Sequence, residues 1–546
     1  MIRYKTTIGN RLATVVVATI VCAALNPSRT FAQDRQPADT QTLGSIAEAN
    51  SIVDKYYAGK PDQKKILSAV VQGMLRVLDP HSRYLDQNEW DVRMSELKAE
   101  FYGLGFFLVD DRGRWFVGTA FPNSPAERIG LRYGDEIIEV DDAPVSGKGF
   151  FEVLAKLRGA RGTMVRLSVH RPGELGFHVL EALRELVVYP SITNAYLIAP
   201  GVGYIQHDTG FSETTYSELE RALASLRADG MRSIIIDLRG NTGGLLQQAV
   251  RVASMFLLDG QEVVTERSRT KIDRIIATSG GSGEMAVIFL VDRNTVSAGE
   301  VLVGALQDHD RALVLGERTF GKGMVQHVHY LGPGVGGLFL TFSRFYTPSG
   351  RCIQRDYMNT STSEYFLHRE SEGVTIQPRP NFRTDAGRLV LAAGGITPDV
   401  LVTRSPDNRT RKRKEWTSAL LHFTADVING QIKDLGRFKV KQSITSHRLK
   451  PNELLITDKY LSSFKQYLAS HSEFHLEARR VDSDTEFLKI ELRRELILAN
   501  YGLSTAAQID QEFDPLIRQA LSQIPKAAEM ANAFRQRATH SLPTPK

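Results

Sequence analysis

The chain has 546 residues, 42% hydrophobic and 24% charged, the proportions of an ordinary soluble protein long enough for several domains, so disorder throughout is excluded. Its formal charge is +6, but residues 1–32 hold four basic residues (Arg3, Lys5, Arg11, Arg29) and no acidic one. Without them 64 basic residues face 62 acidic ones, a balance of +2 that argues against a nucleic-acid partner.

Arg3, Lys5 and Arg11 accompany an apolar stretch over residues 12–25 and small residues near Ala32, the layout of a secretory signal peptide spanning residues 1–32. The stretch is short for a membrane span. Cleavage would release an exported protein, periplasmic in a bacterium; retention would leave an N-terminal membrane anchor. Cys22 would leave with the signal, and Thr19, Ile20 and Val21 are not the small residues expected ahead of a lipid-modified cysteine. Cys352 would then stand alone, which rules out an internal disulfide in the mature chain.

Residues 33–97 form a helical region, because residues 46–57 and 64–78 space apolar side chains three and four apart. It reads as a small cap or docking surface. Asp79-Pro80 marks a turn after it, and His81 in that turn reads as structural rather than catalytic.

Residues 98–184 hold strand-like segments, at 115–120 and 165–170, and a helical stretch at 150–157. Gly103, Leu104, Gly105 and Phe106 form a G-L-G-F loop whose amides can turn inward to grip a carboxylate, and the following strand offers an edge for an added peptide strand. The loop is followed by P-N-S-P-A-E-R-I-G-L at 122–131, G-D-E-I-I-E-V-D at 134–141 and G-A-R-G-T at 159–163. Together these blocks resemble a PDZ domain.

From residue 185 strands and helices alternate: strands at 203–206 and 233–238, helices at 213–228 and 245–257. The junction D-L-R-G-N-T-G-G at 237–244 places glycines between a strand and a helix, where amides can face a negative oxygen. Neither the G-K-[ST] ending of a phosphate loop nor G-x-G-x-x-G is present, so an oxyanion hole and a plain tight turn are the remaining uses. A buried strand at 286–292 then runs into N-T-V-S-A-G-E at 294–300 and a helix over 298–308. Ser297 and Glu300 fit the S-x-x-E capping box, so the serine alone reads as a helix cap. G-E-R-T-F-G-K-G-M-V-Q follows at 316–326.

The PDZ-like blocks, D-L-R-G-N-T-G-G, N-T-V-S-A-G-E and G-E-R-T-F-G-K-G-M-V-Q, in that order, closely resemble the carboxyl-terminal processing peptidases, or tail-specific proteases, serine peptidases with a Ser-Lys dyad. The resemblance covers residues 40–402, with Y-T-P-S-G-R-C-I-Q at 346–354 and G-I-T-P-D-V at 395–400. It implies a multidomain α/β protein: a mixed α/β peptidase core of the crotonase/ClpP-like ββα type over residues 185–402, an inserted β-rich PDZ domain and flanking helical regions, the C-terminal one over residues 403–546. It also carries the family's nucleophile onto Ser297, its general base onto Lys322 and its lysine-orienting glutamine onto Gln326, and it implies that the PDZ domain gates the site. Two departures stand out. Gly299 replaces the usual serine or alanine, and an insertion over residues 356–394, read as lying on the surface, separates the last two blocks.

The chemistry suits these residues. Lysine, with a reference pKa of about 10.4, is a base only if burial lowers that value, and Gly321 and Gly323 leave room for close packing. Gln326 can orient the amine without holding a proton on it, and its spacing from Lys322 predicts one face of a strand. The amides of Ala298 and Gly243, with Gly244 as the alternative, are the expected oxyanion donors. The expected substrates are polypeptides with exposed apolar C-termini, and no cofactor or metal is expected. An adaptor or activator protein, a homo-oligomer and peripheral membrane contact are the further partners considered. The basic run at 409–414 reads as a solvated linker, and the helices after it as packing on this chain or on another subunit. Two other readings remain: an inactive peptide-binding adaptor, and a Ser-His enzyme using His309, His327 or His329.

Overall fold

The computed structural model describes residues 37–541 except 99, 279–284, 368–380, 393, 403–407, 441–446 and 451. The signal segment with Cys22 and Ala32 lies outside the described residues. No helix among those described is long and apolar enough to cross a membrane.

A six-stranded sheet forms the centre, in the order Asn194–Ala199, Val202–Gln206, Ser233–Asp237, Ala286–Val291, Leu313–Gly316, Val400–Leu401. Its first pair is antiparallel and the others parallel. The inner strands Ala286–Val291 and Leu313–Gly316 carry no polar residue, and Ser233–Asp237 is apolar at its three middle positions, because both faces are covered. Ile234, Ile236, Val287 and Phe289 pack with helices Thr215–Ala228, Leu246–Ser254 and Ala298–Asp308. Their neighbours Ile235, Ile288 and Leu290 point to the other face, against Leu516, Ile517, Ala520 and Ala527. Those last residues belong to helices Pro515–Ser522 and Ile524–Ser541, so the end of the chain closes its own sheet. Each such fully buried aliphatic side chain contributes roughly 1.5–3 kcal/mol.

An antiparallel sheet stands beside this core. It pairs Arg83–Leu85, Gly336–Tyr346, Glu262–Ser268 and Ile272–Ile276 in that order, with Met324–Gly332 also on Gly336–Tyr346. The helix Gln87–Lys98 covers it through Trp90, Met94 and Leu97, packed with Phe339, Val328 and Leu245.

The PDZ-like region is a sheet of Phe106–Asp111, Arg114–Ala120, Glu136–Val140, Met164–His170 and His178–Leu183, with the helix Phe150–Leu157. Phe106–Asp111 is an edge strand, as the carboxylate-loop reading requires. A ribbon of Glu100–Gly103 and Glu185–Val188 joins the region to the rest at both of its ends.

The run at 409–414 is not a linker. It lies in the helix Asn408–Asn429, where Arg409 and Arg413 hold the buried Glu491 at 2.8 and 2.5 Å and Lys412 holds Asp484 at 2.6 Å. This helix shares a core with Asp458–Ser470 and Thr485–Tyr501, built on Trp416, Phe423, Tyr460 and Phe464, and PDZ residues Phe116 and Tyr133 join it.

Candidate functional site

Three loops meet at the C-terminal edge of the central sheet. The first is the glycine turn after Ser233–Asp237. Buried Asn241 organises it: its Oδ1 accepts from the Gly243 amide at 3.0 Å, its Nδ2 donates to the His207 carbonyl at 2.9 Å, and its own carbonyl accepts from the Val296 amide at 2.9 Å. Gly244 has φ 141°, and a Cβ there would lie 2.2 Å from the Phe211 carbonyl oxygen, so only glycine fits. The N–H of Gly243, one of the two expected oxyanion donors, is thus turned toward Asn241 in this arrangement.

The second loop carries Ser297 at the corner between Ala286–Val291 and Ala298–Asp308. Its backbone stands at φ 58°, ψ −111°, outside the extended region of an ordinary N-cap and strained for a residue with a Cβ. The side chain is fully buried. The Glu300 arm of the capping box is formed, with the Ser297 amide donating to Glu300 Oε2 at 2.7 Å.

The third loop leads into Met324–Gly332. Lys322 precedes that strand by two residues, and the pairing register shifts between Val325 and Gln326. Because Lys322 lies outside the strand, its relation to Gln326 is not the simple strand alternation that the spacing predicts. Gly321, at φ 88°, passes so close to Gly395 that a Cβ would meet its nitrogen at 2.7 Å. Gln326 is buried and donates from Nε2 to Thr341 Oγ1 at 3.0 Å.

Glu300 ties the second and third loops together. Besides Ser297, its carboxylate accepts from the Lys322 amide at 2.9 Å, the Gly321 amide at 2.7 Å and Thr319 Oγ1 at 2.5 Å. The amides of Ser297 and Lys322 thus share one oxygen, Oε2, which brings these two residues together. Burial raises the Glu300 pKa to about 7 against the pull of its donors.

Burial is also the first cause of the low Lys322 pKa, held well below the usual 10.5. The charges of Arg93 and Arg83 lower it further, while Asp79 and Glu300 oppose them. The arginines sit on the helix Gln87–Lys98 and the strand Arg83–Leu85, so the N-terminal helical region reaches the site. Asp79 Oδ1 accepts from the His81 and Ser82 amides, both at 2.8 Å. The arrangement offers a hydroxyl, an amine biased toward its neutral form and buried dielectric, the elements of nucleophilic acyl transfer.

His309 has other partners, Asp385 Oδ2 and the Glu262 carbonyl, both at 2.7 Å. It caps the far end of the serine helix, roughly 17 Å along the axis from Ser297. His327 stacks on Phe342 with ring centroids 4.1 Å apart. Sequence reasoning assigned no role at the site to Asn241 or Arg93 and gave Glu300 only a cap. A hint existed for Glu300 alone, an acidic residue in an apolar helix.

Away from this centre, Gly105 stands at φ 76°, where a Cβ would lie 2.7 Å from Ser124 Cβ. Gly103 closes the ribbon strand, Leu104 is buried, and Phe106 opens the half-exposed edge strand. The loop thus turns into an open edge, the arrangement that receives a peptide terminus.

The chain matches Peptidase family S41 over residues 201–362 and the PDZ domain over residues 116–171. It is 34% identical over 326 residues to the carboxy-terminal-processing protease of Bartonella bacilliformis, covering 58% of this chain and 74% of that one. It is 32% identical over 322 residues to the carboxy-terminal processing protease CtpB of Bacillus subtilis, covering 58% and 66%. A solved photosystem II D1 C-terminal processing protease shares 26% identity, with 67% of this chain and 94% of that one covered and a TM-score of 0.35. With this extent of similarity and a mixed α/β core joined to a PDZ domain, the chain belongs to peptidase family S41 as a serine-type carboxy-terminal processing protease.

Proposed function

We propose that this protein cleaves exported polypeptides near their C-termini with Ser297 as nucleophile and Lys322 as general base. The observation that carries the reading is the shared Glu300 oxygen, which holds the backbone of both residues. Ser297 Oγ attacks the scissile carbonyl carbon as the neutral Lys322 amine takes its proton. Gln326, fixed by Thr341, orients that amine. The oxyanion is met by the Ala298 amide at the helix N-terminus and by an amide of the glycine turn. Since Gly243 donates to Asn241, Gly244 takes the place first given to Gly243. The ammonium of Lys322 returns its proton to the leaving amine, and water then hydrolyses the acyl-enzyme with Lys322 again as base. The PDZ loop holds the free carboxylate of the substrate and raises the local concentration of the scissile bond. Ser297 and Lys322 are fully buried, so peptide entry requires part of the surrounding wall to move. The basic, apolar N-terminus supports export to the periplasm.

The test incubates purified mature protein with an unfolded polypeptide ending in apolar residues. Cleavage near that end by the parent, and none by Ser297→Ala, is expected. A Ser297→Ala variant as fast as the parent overturns the site, and a parent that binds but never cuts indicates an adaptor.

A further inference from the structure

We propose that the helix Thr362–Leu367 of the inserted segment forms part of the framework of the active site, with Tyr365 as a positioning residue for Lys322 acting through Gln354 and His81. The proposal rests on the reading of Lys322 as general base. Tyr365 lies on the helix Thr362–Leu367 and is 2% exposed, so this part of the insertion is no surface appendage.

The phenol oxygen of Tyr365 accepts from Gln354 Nε2 at 3.1 Å and meets His81 Nε2 at 2.7 Å. A phenol that accepts from the glutamine keeps its own proton for the imidazole. Two branches lead from there to the catalytic groups. Gln354 Oε1 accepts from the amide of Gly323, next to Lys322, at 2.8 Å. With Glu300 on the amides of Gly321 and Lys322, three consecutive peptide groups are held by two side chains. On the other branch, His81 adjoins Ser82, whose Oγ accepts from the Thr341 amide at 3.1 Å, and Thr341 holds Gln326. The Phe320 ring fills the space between, with centroids 5.6 Å from Tyr365 and 6.4 Å from His81. The Arg355 guanidinium stacks 4.7 Å from Phe320 and donates to the Tyr365 carbonyl at 3.0 Å.

The consequence is a wall in which Tyr365, His81 and Phe320 are buried and Gln354 half-buried, all four without charge, with the Arg355 guanidinium stacked on Phe320. Burial holds the His81 pKa well below 6.5, so this imidazole is neutral at physiological pH. Of the charged groups that bear on Lys322, Arg93 and Arg83 favour its neutral amine, and Asp79 and Glu300 its ammonium. Losing the phenol hydroxyl would take a partner from His81 Nε2, leave Gln354 Nε2 with the Arg355 carbonyl at 2.9 Å, and admit water, which solvates the ammonium and makes the lysine a weaker source of neutral amine.

The experiment compares kcat/KM against pH for the parent, Tyr365→Phe, Gln354→Met and the double variant, on one peptide with an apolar C-terminus. The expected result is an acidic limb moved up by about one pH unit in Tyr365→Phe, roughly a tenfold loss below the limb that alkaline pH restores. Gln354→Met is expected to move the limb the same way, with little added by the pair. Melting temperatures within a few degrees of the parent exclude general loosening. An unmoved limb in Tyr365→Phe overturns the proposal whatever the plateau rate. Lys322→Ala is the separate control: retention of parental activity there defeats the general-base reading itself, and the role of Tyr365 with it.

Discussion

The PDZ loop and the corner that carries Ser297 use the same device to opposite ends. Both bend the chain through glycines at positive φ, Gly105 in one and Gly244 and Gly321 in the other. The PDZ loop opens onto an edge strand whose residues from Phe106 to Asp110 are all partly exposed, whereas Ser297, Lys322 and Gln326 are buried. Reversible capture of a peptide end needs an accessible strand edge. Proton removal by a lysine needs the opposite, because only a poorly solvated amine is neutral at physiological pH. On the proposed function the difference makes selection and cleavage separable, and substitutions in one region should then leave the measured property of the other intact.

The largest expected effect breaks the buried side. Ser297→Ala and Lys322→Ala are each expected to lower kcat by at least about a thousandfold, with little change in the dissociation constant for a peptide that occupies only the PDZ loop. Rate measurements and peptide titration on the same preparations check both halves.

Glu300 gives the next effect, read in stability. Its pKa is about 7 in the fold against 4.5 in the free residue, so the folded state keeps its proton over a range where the unfolded chain has lost it. The stabilisation is fully present below about pH 4.5 and disappears as pH rises to 7. The stability of the parent relative to Glu300→Gln is expected to fall by about 3 kcal/mol across that interval, of which solvent relaxation will remove part. Denaturant melts of the two proteins at pH 4.5 and pH 8 provide the comparison. A difference independent of pH would show that the carboxyl ionises as an ordinary surface group does.

The exposed side breaks at Gly105. A valine there meets Ser124 and must adopt a positive φ that β-branched residues avoid. Gly105→Val is expected to raise KM for peptides with a free C-terminus about tenfold while leaving kcat near the parental value. A fall in kcat with KM unchanged would mean that the loop acts on the chemistry rather than on capture.

Sequence reasoning reached the local features of both regions and missed the distant ones, for a physical reason. The run Ala286–Val291 and the helix Ala298–Asp308 are visible because their apolar spacing is local. The cap formed by Glu300 is visible for the same reason, but its bonds to Gly321 and Lys322 cross a separation of 21 and 22 residues and leave no spacing signal. Tyr365 meets His81 across 284 residues. Arg409 and Arg413 read as solvated because isolated charges favour water, and only the fold supplies Glu491 as their partner. The strand-face relation of Lys322 and Gln326 failed because the strand begins only at Met324, a boundary that residue spacing does not mark.

The smallest expected effect sharpens the comparison most, since it alters the lysine without touching it. Arg93 donates to Glu96 Oε2 at 2.6 Å, and its charge is the next cause after burial of the low Lys322 pKa. Arg93→Met keeps much of the apolar stem and removes the charge, so the lysine holds its proton to higher pH. The acidic limb of kcat/KM is expected to move up by about half a unit, roughly a threefold loss below the limb, because burial remains the larger cause. Affinity for a C-terminal peptide at the PDZ loop should not change. A limb that stays in place or moves down would show that the Arg93 charge does not hold the Lys322 pKa low.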